Sequence, residues 1–119
     1  MSATTCDVDC IDHAAASKAR EVADALTTTQ ALPLLRAIAD PIRLRLLAAA
    51  VEQPDLCACD LAWVVDRQKS LVSHHLRRLR ETGLLEVRRD GRLMRYRPTP
   101  TGTTLLRALT ASVGKQVAA

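Results

Sequence analysis

Residues 69–98 read KSLVSHHLRRLRETGLLEVRRDGRLMRYRP, and this stretch decides the fold. Its first part has helical periodicity. At about 100° per residue, Val72, His75, Leu76 and Leu79 gather on one face, while Ser70, Ser73, His74 and Arg77 gather roughly 160° away. The spacing predicts a helix over Lys69–Glu81, with an apolar face turned inward and a polar stripe turned out. Thr82-Gly83 suits the end of that helix. Leu84–Val87 and Leu93–Arg97 then have strand character. Between them, Arg88-Arg89-Asp90-Gly91-Arg92 holds Asp-Gly, the strongest short hairpin signal. Arg89 and Arg92 are expected to flank that turn, and Pro98 and Pro100 to end the second strand.

Upstream, Asp60–Val65 reads as a short helix with Asp60 as its possible N-cap, and Asp66-Arg67-Gln68 as the turn into the next helix. Two short helices joined by a tight turn, followed by a hairpin, form the winged helix-turn-helix plan. The predicted fold is therefore mainly α with a β-hairpin wing. Asp40-Pro41 is a strong helix start, since Asp accepts from an orphan N–H and Pro needs no donor at the first position. Ile42–Val51 follows, with Leu44, Leu47, Ala48 and Val51 on one face, and Pro54 stops it. Ala14–Leu26 and Ala31–Ala39 read as earlier helices. Thr104–Val113 reads as a last amphipathic helix, with Leu105, Leu106 and Leu109 as candidate contacts of a homodimer. Residues 1–13 are expected to form a mobile arm, and residues 14–119 the DNA-binding and dimerisation domain.

Composition narrows the function classes. The 119 residues include one Trp, one Tyr and no Phe, so the core must be built from Leu, Val, Ile and Ala. A small core of this kind gains stability by pairing with a second copy. No segment approaches the ~20 apolar residues of a membrane span. Met1–Asp12 has no apolar run and is not expected to be a signal peptide. A cytoplasmic location follows as the expectation, in which thiols rarely pair into structural disulfides.

Charge is unevenly placed. Arg67–Arg97 holds ten Lys or Arg against three Asp or Glu, a local +7 in a chain of net +4, so the remainder sums to −3. One basic region on a nearly neutral scaffold points to a polyanion partner. The outward stripe Ser70, Ser73, His74 and Arg77 suits base edges in a major groove. Lys69, Arg78 and Arg80 beside it suit phosphates, as do Arg89 and Arg92 at the hairpin tip. His75 falls on the apolar face and is read as a core histidine. The three histidines, His13, His74 and His75, have no nucleophile-and-orienter setting, and no Gly-rich phosphate loop is present, so an enzyme is not expected.

The cysteines come in two close pairs. Cys57-Ala58-Cys59 lies at the start of the first helix of the motif. Residues two apart diverge by about 200° on a helix but share a side in extended chain. Joint ligation therefore asks for an extended or barely helical segment. Two thiolates rarely complete a site. Cys6 and Cys10 supply two more, spaced so that one helical turn would bring them together. Four thiolates form a closed tetrahedral site suited to Zn(II) or a softer ion. His13 is a weaker substitute ligand, and Asp7, Asp9 and Asp12 add negative charge around the arm.

These motifs together resemble a known family. Leu56-Cys57-Ala58-Cys59-Asp60-Leu61 resembles the metal-binding box of the ArsR/SmtB repressors. Ser70–Arg77 with Leu79–Leu84 is similar to the family's recognition helix and its exit, and Arg88–Arg92 to its wing. The resemblance covers about Leu32–Pro98. The added N-terminal pair looks most like the cadmium/lead-responsive CadC branch. It implies a site shared across a homodimer, with Cys6 and Cys10 from one subunit and Cys57 and Cys59 from the other. Arsenite sensors of the family often carry a third cysteine three residues after the box's second, where this chain has Ala62. From Pro98 to Ala119 there is no His, Asp or Glu, so the C-terminal zinc site of many relatives is expected to be absent.

The implied function is a metal-responsive repressor. It would bind an inverted-repeat operator in the apo form and dissociate on Cd(II) or Pb(II), with Zn(II) as a further candidate inducer. The alternatives are an arsenite/antimonite-responsive repressor of the same fold, a thiol redox-sensing repressor, and a metal buffer without sequence-specific DNA binding.

Overall fold

The computed structural model describes residues 10–114. The chain divides into two compact units, with the boundary between Leu32 and Pro33. The first contains helix α1 (His13–Thr27), one residue longer at each end than the predicted Ala14–Leu26. Asp12 caps it by accepting the Ala15 amide at 3.1 Å. Three threonines end it. The hydroxyls of Thr27, Thr28 and Thr29 donate back to the carbonyls of Asp24, Ala25 and Leu26 at 2.9, 2.9 and 2.6 Å. That local bonding competes with continuation of the helix. No residue of α1 is buried.

The second unit carries the motif. Helix α2 (Ala31–Ile38), within which the boundary falls, leads into α3 (Pro41–Glu52), then strand β1 (Leu56–Cys57), α4 (Ala58–Val65), α5 (Lys69–Glu81), β2 (Leu85–Asp90), β3 (Leu93–Pro98) and α6 (Pro100–Val113). This is the winged helix-turn-helix plan, mostly helical with an antiparallel hairpin. The core is Ala37, Ile38, Leu46, Leu47, Ala50, Leu61, Val65, Val72, Leu76, Leu79, Leu84, Leu85 and Tyr96. Tyr96 is its one aromatic, as a chain without Phe requires. Among the described residues, no helix is long and apolar enough to cross a membrane.

Several local expectations need correction. The buried face of α3 is Leu46, Leu47 and Ala50, rather than Leu44, Leu47, Ala48 and Val51. This helix is apolar nearly all round, so periodicity could not choose its inner face. Helix α4 begins two residues earlier than read, with Cys57 at its N-cap and Asp60 inside its first turn. Helix α6 begins at Pro100, because Thr99 caps it through the Gly102 amide and Pro stands in its first turn. That is the Asp40-Pro41 signal again, overlooked where Pro98 and Pro100 were read only as strand breakers. The hairpin turn is one residue further on. Asp90 pairs with Leu93, so Gly91 and Arg92 are the two central residues and Arg92 lies in the turn instead of flanking it. Gly91 has φ 64° while Arg92 keeps a negative φ, the pattern in which glycine takes the first central position.

The Asp40-Pro41 helix start and the core histidine behave as read. Asp40 accepts the Ile42 and Arg43 amides at 2.8 and 3.1 Å. The Arg43 amide, more than any other group, holds the Asp40 carboxyl below the usual range. His75 is 8% exposed. Arg43 can only donate, so the 3.2 Å contact to His75 Nδ1 makes that nitrogen the acceptor and places the ring proton on Nε2. The same guanidinium donates to the Ala37 carbonyl at 2.6 Å and the Arg36 carbonyl at 3.3 Å. It ties α2, α3 and α5 together.

Burial pushes the His75 pKa down from 6.5. Asp40 opposes this, while Arg43 and His74 add to it. A depressed histidine means that the unfolded chain takes up a proton the folded chain refuses. This contribution to stability is whole above pH 6.5 and is lost as pH falls below it. The expected slope is at most about 1.4 kcal/mol per pH unit. Urea melts between pH 7.5 and 5.5 should show it in the wild type and not in His75→Leu. Equal slopes in both would assign the pH dependence elsewhere.

Candidate metal and nucleic-acid interface

Helix α5 sorts its residues as the projection requires. Val72, His75, Leu76 and Leu79 are buried. Lys69, Ser70, Ser73, His74, Arg77 and Arg78 are all exposed. The preceding turn is tight because Asp66 adopts a left-handed backbone at φ 53° and closes α4. Arg89 and Arg92 are exposed in the hairpin. The fold therefore presents every candidate DNA-contacting residue to solvent on two adjoining elements.

The cationic region is smaller than the sequence count suggests. Arg95 Nε donates to Asp90 Oδ2 at 2.8 Å, and its Nη1 to the Asp55 carbonyl at 3.0 Å. Arg97 donates to Asp55 Oδ2 at 3.2 Å, and Arg88 pairs with Asp55 Oδ1 at 3.8 Å. Arg95 holds the Asp90 carboxyl below its usual range, and Asp90 in turn raises the Arg95 pKa. Three arginines thus brace the wing. Among the described residues, Lys69, Arg77, Arg78, Arg80, Arg89 and Arg92 make no ion pair.

Asp55 is the residue that sequence reasoning missed. It has φ 72° and its amide donates to the Tyr96 carbonyl at 2.9 Å, which docks β1 against β3. Aspartate tolerates that backbone conformation, and Pro54-Asp55 was a readable turn signal. The two-residue strand it introduces was not readable, being shorter than any periodicity. It gives a sheet of order β1-β3-β2, with Leu56 opposite Tyr96 and Cys57 opposite Arg95.

Cys57 and Cys59 straddle the junction between β1 and α4. Cys57 is extended at φ −86° and ψ 172°, and Ala58 opens the helix. Cys59 therefore lies in the first turn of α4. Asp60 Oδ2 accepts both the Cys57 amide and the Cys57 thiol, each at 3.2 Å. The thiol bond, then the amide bond, lower the Asp60 pKa. Cys57 is half-buried and Cys59 exposed. Cys10 lies exposed just before α1, and Cys6 falls outside the described residues. Among the described residues, no three His, Cys, Asp or Glu side chains converge to hold an ion. The donor chemistry of the box suits a soft cation, but two thiols leave the shell incomplete, so further donors must come from elsewhere.

The box opens onto the other candidate surface. Cys57, Cys59, Lys69, Ser73, Arg92 and Met94 are among the residues that line a pocket of about 200 Å³. It joins the thiols, the first turns of α5 and the wing turn. Away from it, α6 lines two apolar grooves. One holds Leu44, Ala48, Leu106, Leu109 and Val113, the other Leu34, Leu105 and Ala108.

Comparison with known proteins agrees with this architecture. Residues 40–87 match the family described as "Bacterial regulatory protein, arsR family". The chain is similar to the cadmium resistance transcriptional regulatory protein CadC of Listeria innocua, 28% identical over 96 residues and covering 81% of each chain. It is 38% identical over 69 residues to the arsenical resistance operon repressor of Escherichia coli, covering 58% of this chain and 59% of that one. Its structure resembles the transcriptional repressor BigR from Xylella fastidiosa, with TM-score 0.69, 28% identity and coverage of 82% and 98%. These relatives are transcriptional regulators and not enzymes. With a winged helix-turn-helix, a polar recognition helix and a family match across both helices of the motif, the chain belongs to the ArsR family of bacterial regulatory proteins.

Proposed function

We propose that this chain is a cytoplasmic, metal-responsive transcriptional repressor. As a homodimer in its apo form it binds an inverted-repeat operator, and it dissociates when Cd(II), Pb(II) or Zn(II) binds at cysteine thiolates. The observation that carries the reading is the common pocket, in which the thiol box faces Lys69 and Ser73 of α5 and Arg92 of the wing. Similarity to cadmium-resistance regulators supports Cd(II) as inducer. The metal ligands are Cys57 and Cys59 with Cys6 and Cys10 of an N-terminal arm over residues 1–13. The DNA contacts are Lys69, Ser70, Ser73, His74, Arg77, Arg78, Arg89 and Arg92. The apolar grooves along α6 support dimerisation, which would set the two recognition helices about one duplex turn apart, near 34 Å.

When bound, the ion supplies a charge-dense cross-link between arm and box. Regulation then requires a coupling free energy, typically ~1–3 kcal/mol. A second reading, arsenite response, is favoured by similarity to the arsenical repressor. Ala62 offers no third donor on α4, so that trigonal site also would draw on the arm.

The test is operator binding by the reduced protein across a panel of Cd(II), Pb(II), Zn(II) and arsenite, with wild type beside Cys6→Ser. Release by Cd(II) or Pb(II), blunted at least tenfold in Cys6→Ser, is expected. Release by arsenite alone selects the second reading. DNA binding that persists until peroxide is added overturns metal sensing in favour of thiol oxidation.

A further inference from the structure

Helix α3 precedes the helix-turn-helix, yet one of its arginines reaches the face that α5 presents. Arg43 lines a pocket of about 430 Å³ together with His74, Arg77, Arg78 and Glu81 of α5. Three guanidinium groups and an imidazole therefore surround one carboxylate. Neither the three arginines nor Glu81 make an ion pair among the described residues, so the pocket keeps a surplus of positive charge.

Arg43 differs from the other two arginines in being fixed. Its Nε donates to the Ala37 carbonyl at 2.6 Å, one terminal nitrogen to the Arg36 carbonyl at 3.3 Å and the other to His75 Nδ1 at 3.2 Å. All three acceptors are neutral, so the charge is oriented without being cancelled. The Asp40 carboxylate, three residues before it, accepts the Ile42 and Arg43 amides and forms no ion pair with the guanidinium. By contrast, Arg88, Arg95 and Arg97 are paired with Asp55 and Asp90. A guanidinium has five N–H groups, which leaves one on each terminal nitrogen of Arg43 for a further acceptor. Such a fork, set before its partner arrives, suits two oxygens of one phosphate and loses little freedom on binding.

We infer that this pocket seats a backbone phosphate of DNA beside the recognition helix, with Arg43 of α3 as its fixed anchor and His74 and Arg78 of α5 as its exposed walls. The DNA interface then extends past α5 and the wing to a helix outside the motif. A phosphate held by α3 and α5 together carries no sequence information, but it sets the depth and tilt at which α5 enters the groove. The inference rests on α5 as the DNA-contacting helix.

The test is the salt dependence of binding to a labelled duplex of arbitrary sequence, measured by fluorescence anisotropy on the reduced, metal-free full-length chain. Each phosphate neutralised by the protein adds about 0.9 to the slope of log affinity against log salt. Arg43→Gln should therefore make the slope shallower by about 0.9 for each protomer on the duplex, and lower affinity near 0.1 M salt by about five- to tenfold per protomer. Arg43→Met, which keeps the apolar stem, should do the same and serves if the glutamine variant does not fold. Arg43→Lys restores a cation and should return most of the slope. Lys69→Gln, on α5 but outside this pocket, should also make the slope shallower, while Arg107→Gln on α6 should leave it unchanged. A wild-type slope in Arg43→Gln and Arg43→Met, even with weakened binding, makes Arg43 a brace of the fold and overturns the inference. A wild-type slope in Lys69→Gln as well overturns the assignment of α5 on which it stands. Inorganic phosphate exchanged for chloride at constant ionic strength provides the last arm. Displacement of the duplex by phosphate from the wild type but not from Arg43→Gln assigns the pocket to a free phosphate instead, and overturns the inference.

Discussion

Gly102→Ala should destabilise the protein by about 2 kcal/mol or more, even though it places a better helix former in a helix. Gly102 is buried in the first turn of α6. A Cβ there would fall well inside van der Waals contact distance of the Leu84 carbonyl oxygen, and would stand 3.1 Å from the Leu84 carbonyl carbon and 3.3 Å from Leu47 Cδ1. The obstacle is backbone, and that backbone is held. The Leu84 carbonyl accepts the Thr99 amide at 3.1 Å, and the Leu84 amide donates to the Leu79 carbonyl at 2.9 Å. Neither α6 nor the exit of α5 can move without breaking the other's cap. The propensity gain of alanine over glycine is only about 1 kcal/mol, and overpacking against a fixed neighbour outweighs it. For a chain of this size the melting temperature should fall by about 8 °C. A neutral or raised melting temperature would show that α6 does not rest on the chain at Leu84 as described.

Cys57→Ser separates sensing from folding. A serine hydroxyl keeps its proton at neutral pH and is a poor ligand for a soft cation. The metal concentration needed for DNA release should rise on the order of 100-fold or more, since removing even supporting groups around a metal costs 10–100-fold. Stability should hold or improve. Cys57 is the N-cap of α4, and serine is among the preferred residues at that position. The Asp60 carboxylate that accepts the Cys57 thiol would equally accept a hydroxyl. Apo DNA affinity should stay within about twofold, because the bracing of the wing by Asp55 and Asp90 is unaltered. Paired melting curves and operator titrations with and without Cd(II) check all three. A Cys57→Ser protein that releases DNA at the wild-type Cd(II) concentration removes the box from the sensor.

The two outcomes draw on different information. Cys57 was singled out in the sequence, because two thiols two residues apart at the start of a helix-turn-helix are chemically conspicuous. Gly102 was not, because a glycine in a helical pattern carries no mark of what approaches it from another part of the chain. His75 shows the intermediate case. Its place on the apolar face was legible from periodicity, whereas its partner Arg43, 32 residues away, was not.

By itself the sequence determined the features that depend on neighbours along the chain. These are the apolar and polar faces of α5, the Asp40 cap, the helix end at Thr82-Gly83, the hairpin between Val87 and Leu93, and the pairing of Cys57 with Cys59. Each follows from local periodicity or capping chemistry. Tertiary structure decided what depends on residues distant in sequence. It selected Leu46, Leu47 and Ala50 as the buried face of α3, which is apolar on too many sides to choose alone. It paired β1 with β3 through a strand of two residues. It committed Arg88, Arg95 and Arg97 to Asp55 and Asp90, reducing the +7 of the sequence to a smaller set of available cations. Lastly, it joined the thiol box to Lys69, Ser73 and Arg92, because β1 hydrogen-bonds to β3, the strand that leaves the wing turn, while α4 packs against α5. The helix-and-hairpin reading of residues 69–98 stands, with its turn moved to Gly91-Arg92 and one further refinement. The recognition helix and the wing do not lie beside the cysteines as separate parts, but share a pocket with them.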